Sequence, residues 1–404
     1  MLACSACAGA RPEEKPIVTT PSSKPITPPL MAANGNPMLQ AWTGPYGGVP
    51  PFAEVRVDRF RPAIEEAMVQ SRRELDAIAK NPEPATFENS CAAFENSGRA
   101  YTRVQTFYGV WGSTLNGPEF QALDREMSPK IAAFADEIVQ NTALFKRIEA
   151  VYQSPDKTKL TPEQQRLVFH QYTTLVLAGA KLDEAGKQRL GEINQRLASL
   201  YTDFSQNVLN DEESYAVVLE SEADLAGLPE SIRAGAAAAA EARGQKGKWA
   251  ITNTRSSVEP FLALSSRRDL REKVWRNFID RGDNGDAHDN NKIVAEILKL
   301  RAERAKLLGY PTHAHWRLQD SMAKTPEATM QLMEAVWKPA VARVHQEVAD
   351  MQALANKQGD KITIAPWDYR YYAEKVRKAK YDLDENEIKP YLQLEKLREA
   401  LFWV

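Results

Sequence analysis

The sequence is poor in cysteine, the residue that most often forms structural cross-links. Its 404 residues include three cysteines, and Cys4 and Cys7 both lie close to the first residue. Cys91 stands alone in the body of the chain, so no disulfide framework is predicted there. No further ligands follow Cys4 and Cys7 in the sequence, and we therefore interpret the pair as ordinary cysteines rather than as part of a zinc site.

The sequence also lacks an excess of one charge and a long apolar run. Lysine and arginine number 52, aspartate and glutamate 54, and the net charge is −2. A nucleic-acid partner is not expected, because such a surface needs surplus basic residues to displace counterions. No apolar run is long enough for a membrane-spanning helix. The composition is typical of a globular protein, and the length suits two or three domains.

Familiar catalytic motifs are missing as well. The five histidines are His170, His288, His313, His315 and His345. None belongs to an HExxH pattern, and alternate residues such as His313 and His315 point to different faces of a helix. The sequence has no phosphate-binding GxxxxGK[ST] loop and no GxSxG nucleophile elbow. From the residues alone we assign no catalytic residue and no metal ligand, and leave substrate-binding residues unknown.

The acidic segment 280–291, DRGDNGDAHDNN, has some features of a calcium-binding loop. Gly285 stands at its sixth position, where such a loop needs glycine. Asn291 stands at the twelfth, where a bidentate glutamate is expected. The spacing therefore favours a solvated loop that caps the next helix through Asp289 or Asn290.

Helical periodicity dominates from about residue 37. The clearest apolar stripes are Phe60, Ile64, Ala67 and Met68; Leu190, Ile193, Leu197, Leu200, Phe204 and Val208; and Ile293, Ile297, Leu300 and Leu307. Spacings of three and four residues are those of one helix face. Thr161 and Thr325 each precede a proline and predict helix starts, and Gly309 predicts a helix end.

Strand signals are scarce. The short segments 215–219 and 248–254 are rich in β-branched and aromatic residues, and an alanine-rich helix is predicted near 231–243 between them. We expect the two segments to pair. The predicted fold is mainly α, large and multi-helical, with one short β excursion around 215–254.

The segment 367–375, WDYRYYAEK, concentrates aromatic residues. Aromatic and arginine side chains favour binding grooves, but such clusters are more often core packing with their polar atoms hydrogen-bonded. We interpret this one as core, with a peptide-binding groove as the alternative.

Residues 1–36 resemble a truncated leader followed by a tether. MLACSACAGA has the small residues of a lipoprotein cleavage site but lacks a positive start and most of an apolar stretch. The proline- and serine-rich residues that follow predict a disordered tether. We expect the bacterial cell envelope, in the periplasm, with a lipid anchor at Cys4 or Cys7 as an option. The cytoplasm is the alternative.

Seven segments occur in an order that carries a family resemblance. They are NPMLQAW with GVPPFAEVRVDRFRPAIEEAM, TFENSCAAFENSGR, LAGAKLDEAGKQRLGEINQRLASLYTDFSQNVL, RRDLREKVWRNFIDRG, DNNKIVAEILKLRAERAKLLGY, IAPWDYRYYAEKVR and YDLDENEIKPYLQLEKLREALFWV. Together they resemble the thimet-type zinc oligopeptidases of peptidase family M3, and within it the bacterial peptidyl-dipeptidase and oligopeptidase A branch. The resemblance implies an N-terminal helical domain at 37–245, and the start of the catalytic region at 246–404.

The same resemblance implies a zinc metallopeptidase that hydrolyses short peptides. In that family an HExxH helix and a later glutamate hold the zinc, and no position of this chain matches them. The expectation is therefore the front half of such an enzyme, cut before the zinc motif and inactive alone. It would supply a helical channel wall and require the missing C-terminal catalytic half. Peptidyl-dipeptidase and endopeptidase action stay open.

The final residues favour this interpretation over its alternative. Leu394, Leu397, Leu401 and Val404 follow helical spacing without a stop signal, as in a helix still in progress. The alternative is a non-catalytic helical relic that binds peptides or a protein partner. Such a relic would be expected to carry polar residues on this stripe. The family-like motif at Trp367, Asp368, Tyr369, Tyr371 and Tyr372 is interpreted as structural.

Overall fold

The computed structural model describes residues 35–45, 48–382 and 385–404. Cys4, Cys7 and nearly all of the predicted leader and tether lie outside the described residues. Within the described residues the fold is mainly α with one short strand pair, which confirms the predicted fold class. None of the described helices has the length and apolarity needed to cross a membrane.

The helices of the first half include two long ones, α4 and α7. Their bounds are α1 Phe60–Ala79, α2 Ala93–Asn96, α3 Arg99–Thr114, α4 Pro118–Gln140, α5 Thr142–Gln153, α6 Pro162–Leu177 and α7 Glu184–Ser214. A π-helical turn, Phe87–Ala92, leads into α2.

The second half contains the strands and the longest helix, α13. Its elements are β1 Val217–Leu219, α8 Glu230–Glu241, β2 Trp249–Ile251, α9 Arg255–Leu264, α10 Arg268–Ile279, α11 Asn291–Leu307, α12 His313–Leu318, α13 Pro326–Gln358, α14 Tyr369–Tyr381, α15 Glu385–Ile388 and α16 Leu394–Trp403.

Two clusters of apolar side chains form the core of the first half. Helices α1, α3 and α4 meet around Phe60, whose ring makes edge contacts with Phe120 and Trp111 at centroid distances of 5.6 Å. Helices α5 and α6 meet around Ile148 and the buried free thiol of Cys91. The predicted stripe on α1 is buried here, because four positions at helical spacing face the same neighbours.

The predicted stripes of α7 and α11 pack against each other. Ile193, Leu197 and Leu200 on α7 form one cluster with Ile297 and Leu300 on α11. Ion pairs flank this seam on its solvent side, from Arg189 to Glu303 and from Arg196 to Glu296. Helix α7 also lies against α4, and so connects the two halves.

The two strands pair in antiparallel fashion, as predicted, with Val217 opposite Ile251 and Leu219 opposite Trp249. They are shorter than the predicted segments, and α8 connects them. The strands lie on either side of the expected domain division at 245, which stays a prediction.

The predicted helix signals are confirmed. Thr161 forms a capping box with Gln164, and the Thr325 hydroxyl accepts the N–H of Ala328. Gly309 follows α11 with a φ of +83°, and its N–H donates to the Lys306 carbonyl. Glycine ends helices in this way because it adopts the left-handed conformation at little cost.

Candidate functional site

A buried ion-pair network ties α10 to the turn before α14. The Asp368 carboxylate is fully buried and accepts hydrogen bonds from Arg271 Nη2 at 2.7 Å and Arg268 Nη2 at 2.9 Å. The N–H of Ala365 donates to the same carboxylate at 3.1 Å. Arg271 is buried too, and its other guanidinium nitrogens donate to the carbonyls of Ser265 and Trp367. Every charge in this network is therefore paired.

The contacts with Arg268 and Arg271 determine the direction in which the pKa of the Asp368 carboxyl is shifted. Burial alone would raise the pKa of its carboxyl, but the hydrogen bonds from Arg268 and Arg271 outweigh burial and lower the pKa below its ordinary value. The carboxylate therefore stays charged at neutral pH. Asp368 therefore joins α10 to the start of α14 through ion pairs and does not act as a proton donor.

The neighbouring aromatic residues complete the same junction. Tyr372 is buried, and its hydroxyl donates to Asp360 at 2.7 Å. The Tyr369 hydroxyl donates to Glu347 at 2.8 Å, and the Arg271 guanidinium lies 4.1 Å from the centroid of the Tyr371 ring. These contacts support the core interpretation of the aromatic segment.

The other face of the same segment borders a cavity of about 770 Å³ between α8, α9 and α14. Ile232, Pro260, Ala263 and Leu264 supply an apolar floor. The size lies within the range of small-ligand sites. The segment 367–375 therefore contributes both to the core and to a cavity wall, where Arg370 lies.

The cavity carries opposed charges. Glu259 Oε1 accepts from Arg255 Nε at 3.0 Å and from Arg370 Nη2 at 2.8 Å, and Glu374 lines the cavity nearby. An apolar floor with cations and carboxylates suits a short zwitterionic chain such as a peptide. The sequence analysis gave a groove at segment 367–375 only as the alternative, and did not predict that α8 and α9 contribute to it. The sequence does contain a base and an acid four residues apart on each helix, Arg255 with Glu259 on α9 and Arg370 with Glu374 on α14. These two sets become neighbours only when the helices pack.

The acidic segment 280–291 forms the loop between α10 and α11. Asp289 Oδ1 accepts the N–H of Asn291, the first residue of α11, although Asp289 lies one position before the N-cap residue Asn290. Asn290 does not cap the helix, because its side chain bridges to α7 through the carbonyl of Phe204 and the amide of Asn207.

The donor atoms available for a metal were compared with the zinc site that the resemblance implies. Within the part of the chain that the structure describes, one group of three donor side chains comes together, namely Asp211, Asp286 and His288, with donor atoms within 4.8 Å of one another. One imidazole and two carboxylates do not match two histidines and a glutamate. Asp211 is also fully buried at a helix end. The described residues therefore do not fit the family's catalytic zinc.

His313 and His315, which the sequence analysis did not assign as metal ligands, belong to no such group among the described residues. The His313 ring lies against Trp316, and burial followed by the charges of Arg301, Arg304 and Arg317 lowers its pKa. His315 Nδ1 lies 2.8 Å from the Thr312 hydroxyl at the start of α12. Both histidines are part of a helix start and its packing.

Comparison with known proteins adds the family. Residues 261–404 match the sequence model of Peptidase family M3. This range contains the Asp368 network and four of the nine residues that line the cavity. This match confirms the resemblance to peptidase family M3 for this part of the chain. Residues before 261 match relatives of that family, as the next comparison shows.

Three relatives in family M3 show how much of the fold this chain contains. It is 38% identical over 369 residues to a dipeptidyl carboxypeptidase of Escherichia coli K12, covering 91% of this chain and 54% of that protein. It is 31% identical to a probable cytosolic oligopeptidase A of Arabidopsis thaliana (91% and 53%) and 29% identical to an oligopeptidase A of Haemophilus influenzae (91% and 54%). The chain spans about half the length of the curated relatives it matches.

Proposed function

We propose that this chain is the front half of an M3 zinc metallopeptidase that hydrolyses short peptides, as a peptidyl-dipeptidase or an oligopeptidase. In this proposal its helices form one wall of the substrate channel. The observation that carries the proposal is the exposure of many large apolar side chains on two helices inside the region that matches the family.

These exposed apolar residues are here called together the α13/α16 face. They are Met330, Leu332, Met333, Val336, Trp337 and Val344 on α13, Leu394, Leu397, Leu401, Phe402 and Trp403 on α16, and Val404 directly after α16. Trp337 is 71% exposed and Phe402 is 84% exposed. Apolar patches of this kind mark surfaces that another protein segment covers.

The relatives are about twice as long as the matched part, and their additional residues are candidates for the segment that covers these side chains. We propose that the remaining half of the M3 fold packs on the α13/α16 face and brings the zinc ligands. The zinc would activate the attacking water there. The described residues of this chain would hold the peptide, and the exposed guanidinium groups of Arg255 and Arg370 would bind its carboxylate while they also pair with Glu259.

Further assignments stay proposals. Export to the cell envelope, a lipid anchor at Cys4 or Cys7, and the division into domains at 245 remain predictions from the sequence. The relic that binds peptides without catalysis is the competing function. The unreplaced apolar residues of the α13/α16 face disfavour it, because a stable short protein gains solubility from polar residues at such positions.

The test joins the chain with the segment that its coding sequence specifies beyond residue 404. We expect the chain alone to leave a short peptide intact and the combination to release smaller peptides, followed by mass spectrometry. Leu401→Ser should weaken binding of that segment, measured by calorimetry. The matched change Leu298→Ser, at an exposed leucine of α11 outside the face, should not. Hydrolysis by the chain alone, or equal effects of the two changes, would refute the proposal.

A further inference from the structure

The end of α7 and the acidic loop after α10 bring three metal-binding side chains together. Asp211 lies in the last turn of α7, while Asp286 and His288 lie in the loop. Each offers one donor atom, and these atoms lie within 4.8 Å of one another. A metal ion placed between three atoms at such distances can therefore lie no more than about 2.8 Å from each of them. Bonds from zinc-like ions to oxygen and nitrogen are about 2.0–2.2 Å, so closure requires movements well under about 1 Å.

The state of Asp211 provides an independent indication of a ligand. Its side chain is fully buried. Oδ2 accepts the N–H of Gly282 and the Nδ2 of Asn284, both at 2.7 Å. Oδ1 has no hydrogen-bond partner among the described residues. A buried carboxylate oxygen without a partner costs free energy, and a cation beside it removes that cost.

Hydrogen bonds hold Asp286 in place, and both Asp286 and His288 can still bind a cation. Asp286 Oδ1 accepts the N–H of His288 at 2.8 Å, and Oδ2 accepts the Tyr215 hydroxyl at 2.9 Å. Each carboxylate oxygen has two lone pairs, so both can still bind a metal. The His288 side chain is partly exposed.

We propose that Asp211, Asp286 and His288 bind a divalent transition-metal ion that joins the end of α7 to the α10–α11 loop. Two carboxylates with one imidazole suit Mn²⁺ or Zn²⁺ better than Mg²⁺ or Ca²⁺, which prefer oxygen ligands alone. The site lies at a helix junction and is structural. It is separate from the proposed catalytic zinc. A calcium-binding loop takes its ligands from one continuous segment. Here Asp211 comes from α7, which is distant in the sequence from the loop.

Mn²⁺ binding to the metal-stripped 404-residue chain tests the proposal. Electron paramagnetic resonance of free Mn²⁺ counts the bound ions. We expect one ion per chain, loss of binding in His288→Ala and Asp286→Asn, and full binding in Asp283→Asn. Asp283 is the matched control, since it lies in the same loop and accepts from Asn291 Nδ2 outside the three donors.

Thermal unfolding without metal shows whether each variant folds. With Mn²⁺ the melting temperature should rise for the original chain and Asp283→Asn but not for His288→Ala. Zn²⁺ should displace Mn²⁺, whereas equimolar Ca²⁺ should not. The proposal fails if the folded chain binds no Mn²⁺. It also fails if His288→Ala binds like Asp283→Asn, or if Ca²⁺ displaces Mn²⁺.

Discussion

At the scale of single residues, a buried ion pair joins two segments that are distant in the sequence. Asp368 and Arg271 are both buried, and each guanidinium nitrogen of Arg271 has a hydrogen-bond acceptor. The sequence suggested a structural role for Asp368 but did not reveal its partners. Arg268 and Arg271 lie in a different helix, α10, and no local spacing rule links the two segments.

Removing the charge of Asp368 should destabilise the chain strongly. Asp368→Asn leaves buried Arg271 without its counter-charge, and breaking a buried pair costs about 3–5 kcal/mol. The control Glu272→Gln breaks an exposed pair with Arg276 on α10 and should cost less than about 1 kcal/mol. Urea denaturation measures both. Equal costs would contradict the role of Asp368 in joining α10 to the start of α14.

Titration of the Asp136 carboxyl makes the stability of the folded chain decrease as pH rises. Burial raises the pKa of its carboxyl to about 6, against the lowering effects of Asn194 and Arg304. The folded state therefore binds the proton more tightly than the unfolded state. This contribution to stability is present at low pH and is lost as pH rises from about 4 to about 6.

Asp136→Asn removes this titration while keeping an acceptor for Asn194 Nδ2, which donates to Asp136 Oδ1 at 2.6 Å. The melting temperature of the variant, relative to the original chain, should increase between pH 4 and pH 7. The other acidic groups cancel in this difference. A difference independent of pH would show that the carboxyl titrates normally.

At the scale of elements, the sequence predicted helices and their buried faces well. The stripe on α1 and the central residues of the stripes on α7 and α11 are buried, because one helix alone sets their spacing, but Phe204 near the end of the α7 stripe is exposed. The cavity between α8, α9 and α14 and the grouping of Asp211 with His288 could not be predicted. Both depend on how distant helices pack, which local spacing does not specify.

The seam between α7 and α11 allows a matched test. Leu197 is 1% exposed in the seam, whereas Leu298 on α11 is 59% exposed. Leu197→Ala should lower the free energy of unfolding by about 2–5 kcal/mol, and Leu298→Ala by about 0.5 kcal/mol or less. Similar values for the two changes in urea denaturation would contradict the packing of α7 on α11.

At the scale of the whole molecule, the chain combines a complete core with an uncovered surface. The clusters around Phe60, Ile148 and Leu197 are well buried, whereas the α13/α16 face is open. Similarity to family M3 and coverage of about half the length of the relatives support the proposed explanation of this contrast. The proposed remaining half would bury the face and add the zinc ligands.

The most direct test is the nucleotide sequence that follows the codon of Val404. The account predicts a reading frame, continuous or shifted, that encodes HExxH and a further glutamate downstream. A stop codon followed by unrelated sequence would contradict the proposed peptidase, and would make the peptide-binding relic the leading explanation.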